Sequence, residues 1–83
     1  MSPRSNKSKL PSSNKFESAL LKDGFLPKKC KRGSHLPYEK KVPEQITRIV
    51  VVPLNRKEIP IGTLSSMLRQ AGWSREYFER LVD

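Results

Sequence analysis

Apolar side chains fall into a few patterned runs along this chain, and each run predicts an element. Phe16, Ala19 and Leu20 recur at i, i+3 and i+4, with Leu21 widening the stripe, which is the spacing of one helix face. Asn14 is placed to cap that helix while Glu17, three residues on, reaches back. Gly24 ends it as a left-handed residue, and Phe25 beyond it is set to fold back on the last turn. Residues 25–31 read as an edge-type strand, since Pro27 lacks the donor a central strand needs. Arg32-Gly33 then reads as a turn and Ser34 to Lys41 as the returning strand. The run ITRIVVV, residues 46–52, is β-branched and almost continuously apolar, which predicts a central strand covered by a helix. In GTLSSMLRQAG, Leu64, Met67, Leu68 and Ala71 return to helical spacing before Gly72. Ser74 opens a short last helix carrying Tyr77, Phe78 and Leu81. Gly24, Gly33, Gly62 and Gly72 mark turns.

The order is therefore helix, three antiparallel strands, helix, and a short C-terminal helix. Two helices must cover one face of so small a sheet, which leaves the other face wet. This is an α+β arrangement of the kind found in double-stranded RNA-binding domains, with lysines expected on the wet face. Residues 1–13 are mostly Ser, Pro, Asn, Lys and Arg with one leucine, so they read as a mobile basic tail ahead of a domain at 14–83.

Charge changes the picture from fold to partner. The net charge is +9, and residues 1–41 hold eleven Lys/Arg against three acids, whereas residues 42–83 hold six against five. A small domain with its positive charge in one half has the footprint of a polyanion binder, and the usual polyanion is nucleic acid. Neither expected helix is basic enough to enter a major groove, so DNA is not expected as a direct partner. With one histidine and one cysteine, Cys30, the chain offers no zinc constellation and no internal disulfide. No metal or cofactor is expected. No apolar run approaches the ~18 residues of a membrane span, and the first fifteen residues hold no signal-peptide core, so a cytoplasmic protein is expected.

Several segments together resemble the HicA-type mRNA interferase toxins. They are LLKDGF at 20–25, GSH at 33–35 and VVVPLNRKEIPIGTLSSMLRQAGWSREYF at 50–78, in that family's order and near its spacing. The resemblance implies a fold similar to the double-stranded RNA-binding domain. It also implies cleavage of mRNA as an endoribonuclease and silencing by a cognate HicB-type antitoxin. The family's catalytic histidine falls on His35. Many relatives carry a second histidine two residues after the Val-Pro proline, where this chain has Asn55, which leaves His35 the sole imidazole.

Metal-free RNA cleavage needs a base for the ribose 2′-hydroxyl, positive charge at the phosphorane, and a proton for the leaving 5′-oxygen. An imidazole, with an unperturbed pKa near ~6.5, suits the proton transfers at neutral pH. Lys28, Lys29, Lys31, Arg32 and Lys40 are candidate RNA contacts. Ser34 is a candidate phosphate donor, and Tyr38 a candidate base-stacking ring or a cross-strand packing residue. The competing reading is a non-catalytic RNA-binding module, and His35 is what separates the two.

Overall fold

A computed structural model describes residues 10–28, 33–42 and 47–82. Its elements are α1 (Ser13–Lys22), β1 (Leu26–Pro27), β2 (His35–Lys40), β3 (Arg48–Pro53), α2 (Ile61–Ala71) and α3 (Arg75–Val82). The strands form one antiparallel sheet in the order β1-β2-β3, with Leu26 opposite Glu39, Tyr38 opposite Val50 and His35 opposite Pro53. This is the expected α+β class, with the helices packed on one face.

The helices stop where their glycines let them. At the end of α1, Gly24 takes φ 99°, the Phe25 N–H donates to the Leu20 carbonyl at 2.9 Å and the Gly24 N–H to that of Leu21 at 3.1 Å. These two bonds close the last turn, and Phe25 and Leu20, both fully buried, supply the apolar contact that accompanies it. The end of α2 repeats the arrangement: Gly72 has φ 78°, and the Trp73 N–H donates to Leu68 at 3.0 Å. A Cβ on Gly72 would also meet the Arg48 guanidinium at 2.8 Å. Gly62, by contrast, lies in the first turn of α2 and marks no chain reversal.

The start of α1 differs from expectation. Ser12, not Asn14, is the N-cap, its side chain accepting from the Lys15 N–H. Pro11 is buried, Leu10 packs against the core, and the Pro11 carbonyl accepts from Ile59 at 2.8 Å. Order therefore extends at least four residues ahead of Asn14. Leu10 and Pro11 supply the apolar area that the composition of the whole tail obscured. Residues 1–9 lie outside the described residues.

The strand order is also corrected. β3 is an edge, and the central strand is β2 in spite of Pro37. In an antiparallel strand a residue's N–H and C=O point to the same side. The Pro37 carbonyl accepts from the Lys28 N–H at 2.9 Å, so the missing donor faces β1 and leaves the β2–β3 ladder whole. β1 pairs over two residues only. In β3, Val50 and Val52 are buried, while Ile49 and Val51 are 43% and 39% exposed. An apolar run was read as two covered faces, but its outward half is open.

Phe16, Phe25, Leu20, Val50, Val52, Ile59, Leu64 and Met67 form the centre of the core, with Trp73 and Phe78 closing it. Asp23 ties three elements across its edge. Its carboxylate accepts from Trp73 Nε1 at 3.0 Å, Tyr77 Oη at 2.5 Å and Lys40 Nζ at 3.2 Å. Burial alone would raise this carboxyl, but the hydrogen bonds from Tyr77, Trp73 and Lys40 outweigh it and hold it below the usual carboxylate range. A lowered folded pKa contributes stability above the unfolded value, lost as pH falls through the folded one. Asp23→Ala should therefore lose about 2 kcal/mol at pH 7, and the gap to wild type should narrow below about pH 4. Urea melts at pH 7 and pH 3 measure both; identical midpoints at pH 7 would show that the cluster contributes nothing.

Candidate active site

His35 is the first residue of β2 and is exposed. It follows a turn in which Gly33 has φ 56°, a left-handed conformation that a β-branched or bulky residue adopts only under strain. Alternation along β2 sends Leu36, Tyr38 and Lys40 toward the helices, so His35, Pro37 and Glu39 share the open face. The helical layer thus leaves the imidazole in reach of a large substrate.

Across the sheet His35 faces Pro53, and the Leu54 N–H donates to the Ser34 carbonyl at 2.7 Å. That bond extends the ladder past the strand ends and sets the Leu54–Glu58 loop beside the Gly33-Ser34 turn. Asn55, at φ 60°, is the one non-glycine residue with positive φ among the described residues. Arg56 and Lys57 follow it, both exposed. Antiparallel pairing of β2 with β3 brings the segment before His35 and the segment after Pro53 to the same end of the sheet.

The candidate RNA contacts divide. Lys28 is exposed at the end of β1, and Ser34 is exposed with its carbonyl committed to Leu54. Lys29, Lys31 and Arg32 lie outside the described residues. Tyr38 is buried, 3% exposed. Burial, with the Glu17 carboxylate beside it, pushes its phenol up to about 12. It is a core residue of the central strand and offers no face to a base. Lys40 points to the same inner side, bonded to Asp23 and 5.7 Å from the centre of the Phe25 ring. Its charge is paired within the fold, with the side chain still 34% exposed.

Among the described residues the middle of the open face carries no lysine. Leu26, 67% exposed, lies in line with Glu39 and Ile49, and Val51 pairs with Pro37. That part of the face is mostly aliphatic, with Lys28 at its margin and with Arg56 and Lys57 on the segment that follows β3 at the end where His35 stands. Reading residues singly missed Arg56 and Lys57. The signal was available in the hairpin itself, because a strand starting at His35 and one ending at Pro53 must place the following residues beside the histidine.

Among the described residues no group of three or more His, Cys, Asp or Glu is arranged to hold a metal ion. No described helix is long and apolar enough to cross a membrane. No curated protein matches the chain. The family described as the HicA toxin of bacterial toxin-antitoxin matches residues 13–73, a span that includes α1, the whole sheet, α2 and His35.

Proposed function

The chain belongs to the HicA toxins of bacterial toxin–antitoxin systems, and on that premise we propose that it is a metal-independent endoribonuclease cleaving mRNA in the cytoplasm. The observation that carries this reading is His35 itself. It is the only imidazole of the chain, stands exposed at the open end of the central strand, and has the cations of Lys28, Arg56 and Lys57 on neighbouring segments.

In the reaction, His35 takes the proton of a ribose 2′-hydroxyl. The freed 2′-oxygen attacks the adjacent phosphorus, and the bond from phosphorus to the 5′-oxygen breaks. The leaving oxygen receives a proton from the imidazolium just formed or from water, giving a 2′,3′-cyclic phosphate and a 5′-hydroxyl end. Positive side chains stabilise the charge that builds on the non-bridging oxygens. The test is cleavage of an end-labelled RNA with and without EDTA. Activity that EDTA leaves intact, with cyclic phosphate ends, supports the reading. The absence of any cleavage by folded protein leaves the non-catalytic RNA-binding module instead.

The partner in this reading is a HicB-type antitoxin seated on the open sheet face. Leu26, Ile49 and Val51 provide exposed apolar area there with no occupant among the described residues, and a partner covering them also covers His35. An acidic rim on that partner would suit the +9 charge of this chain. Because His35 is the sole histidine, its modification by diethylpyrocarbonate is read cleanly by peptide mass spectrometry. In a saturated complex with the antitoxin, modification should fall about tenfold or more; unchanged reactivity would end the occlusion model.

A further inference from the structure

The loop after β3 is held more firmly than an exposed connection requires. Ser13, the first residue of α1, is 1% exposed. Its Oγ donates to the Pro53 carbonyl at 2.5 Å and accepts from the Arg56 N–H at 3.0 Å. Its own N–H donates to the Arg56 carbonyl at 2.9 Å. Both backbone groups of Arg56 thus end on one buried residue forty-three positions away. On either side, Leu54 is bonded to Ser34 and Ile59 to Pro11. The span between closes through the left-handed Asn55, a residue type whose short polar side chain tolerates that conformation.

A looser loop would join β3 to α2 equally well. What the clamp adds is a fixed starting point for two cationic side chains at the end of the sheet where His35 stands. Arg56 and Lys57 are exposed, and neither is in an ion pair among the described residues. Arg56 and Lys57 lie three and four residues beyond Pro53, the cross-strand partner of His35, on a segment that the Leu54–Ser34 bond holds beside the turn before His35. Unpaired cations on that segment suit the phosphates next to the one being cleaved. A guanidinium fork can bind one phosphate through two parallel hydrogen bonds, and a lysine acts as a point charge on another.

We propose that the Asn55–Lys57 turn, fixed by Ser13, is the phosphate-gripping wall of the site, with Arg56 and Lys57 meeting the RNA backbone. The proposal rests on the endoribonuclease reading above. Ser13 touches no substrate and is a positioning residue.

The experiment compares four proteins with wild type: the double variant Arg56→Ala/Lys57→Ala, a control pair of equal charge change on the helices (Arg69→Ala/Arg80→Ala), Ser13→Ala and Ser13→Thr. Binding of a labelled single-stranded RNA is titrated at several salt concentrations, in a His35→Ala background so that the RNA stays intact. Each lost phosphate contact flattens the plot of log affinity against log salt by about 0.7. The double variant should flatten it by about 1.4, and the control pair should leave it unchanged. In the cleavage-competent background, KM should rise about tenfold for the double variant. Ser13→Ala should raise KM and lower kcat, and Ser13→Thr should restore both by returning the hydroxyl, a rescue that loss of stability alone would not produce in a folded protein.

If Ser13→Ala does not fold, the double variant decides alone, since it changes only exposed side chains. A double variant with wild-type slope and KM overturns the proposal, as does an equal loss in the control pair. Wild-type protein that neither binds nor cuts RNA is a different outcome, removing the functional premise together with the proposal.

Discussion

Replacing His35 with alanine is expected to slow RNA cleavage by about two to four orders of magnitude while leaving fold and RNA affinity near wild type. In barrier terms that is about 3–5 kcal/mol, the scale of one positioned proton-transfer group. Two features make the loss specific to chemistry. The ring is exposed at the start of β2, so its removal opens no cavity, and surface changes of this kind stay within about 0.5 kcal/mol of stability. Affinity in this reading comes from the cations on neighbouring segments, which the substitution leaves in place. Single-turnover cleavage, a binding titration and a thermal melt on both proteins separate these contributions. Undiminished cleavage by a folded variant would remove His35 from the mechanism. Joint loss of binding and cleavage would make it an RNA contact only.

Phe16→Ala is expected to cost about 3–5 kcal/mol and to lower the melting temperature by more than about ten degrees. A domain of this size holds about 4–12 kcal/mol in total. Phe16 is fully buried, with ring centroids 5.5 Å from Trp73 and 4.9 Å from Phe78. It therefore joins α1 to both the end of α2 and the face of α3. Truncation to alanine removes these aromatic contacts together and leaves a void that a core between helices and sheet cannot collapse to fill. Leu21→Ala, one turn along the same helix but 52% exposed, should shift the melt by only a few degrees. Equal melting temperatures for wild type and Phe16→Ala would refute the assignment of this residue as the joint between the three helices. Since α3 supplies Phe78, the same contact explains why the fold extends beyond the 13–73 span of the family match.

Local signals in the sequence carried the elements. The i, i+3, i+4 stripe of Phe16, Ala19 and Leu20, the glycines at 24 and 72, and the β-branched run ending at Pro53 each act within a few residues, so they can be read without knowing what packs where. His35 could be nominated for the same reason, as a sole imidazole after a Gly-Ser turn within segments that resemble the family, and its role in cleavage is the proposal made above. Other features depend on contacts between distant segments. Ser12 displaced Asn14 as the cap because the neighbouring Ser13 is fixed by Pro53 and Arg56, forty or more residues away. β3 became an edge because two β-branched faces do not say which one a helix covers, and only the packing of α1 and α2 decides that. Tyr38 proved a core residue because the phase of β2 turns even-numbered residues inward, a phase set by register against Val50 and Arg48. The segment carrying Arg56 and Lys57 comes to the His35 end of the sheet because antiparallel pairing makes neighbours of residues that the chain keeps about twenty positions apart. Composition and local periodicity determined which elements form and where a catalytic side chain could stand. Strand order, register and the Ser13 clamp decided which charges surround it, because those depend on long-range hydrogen bonds that no local pattern encodes.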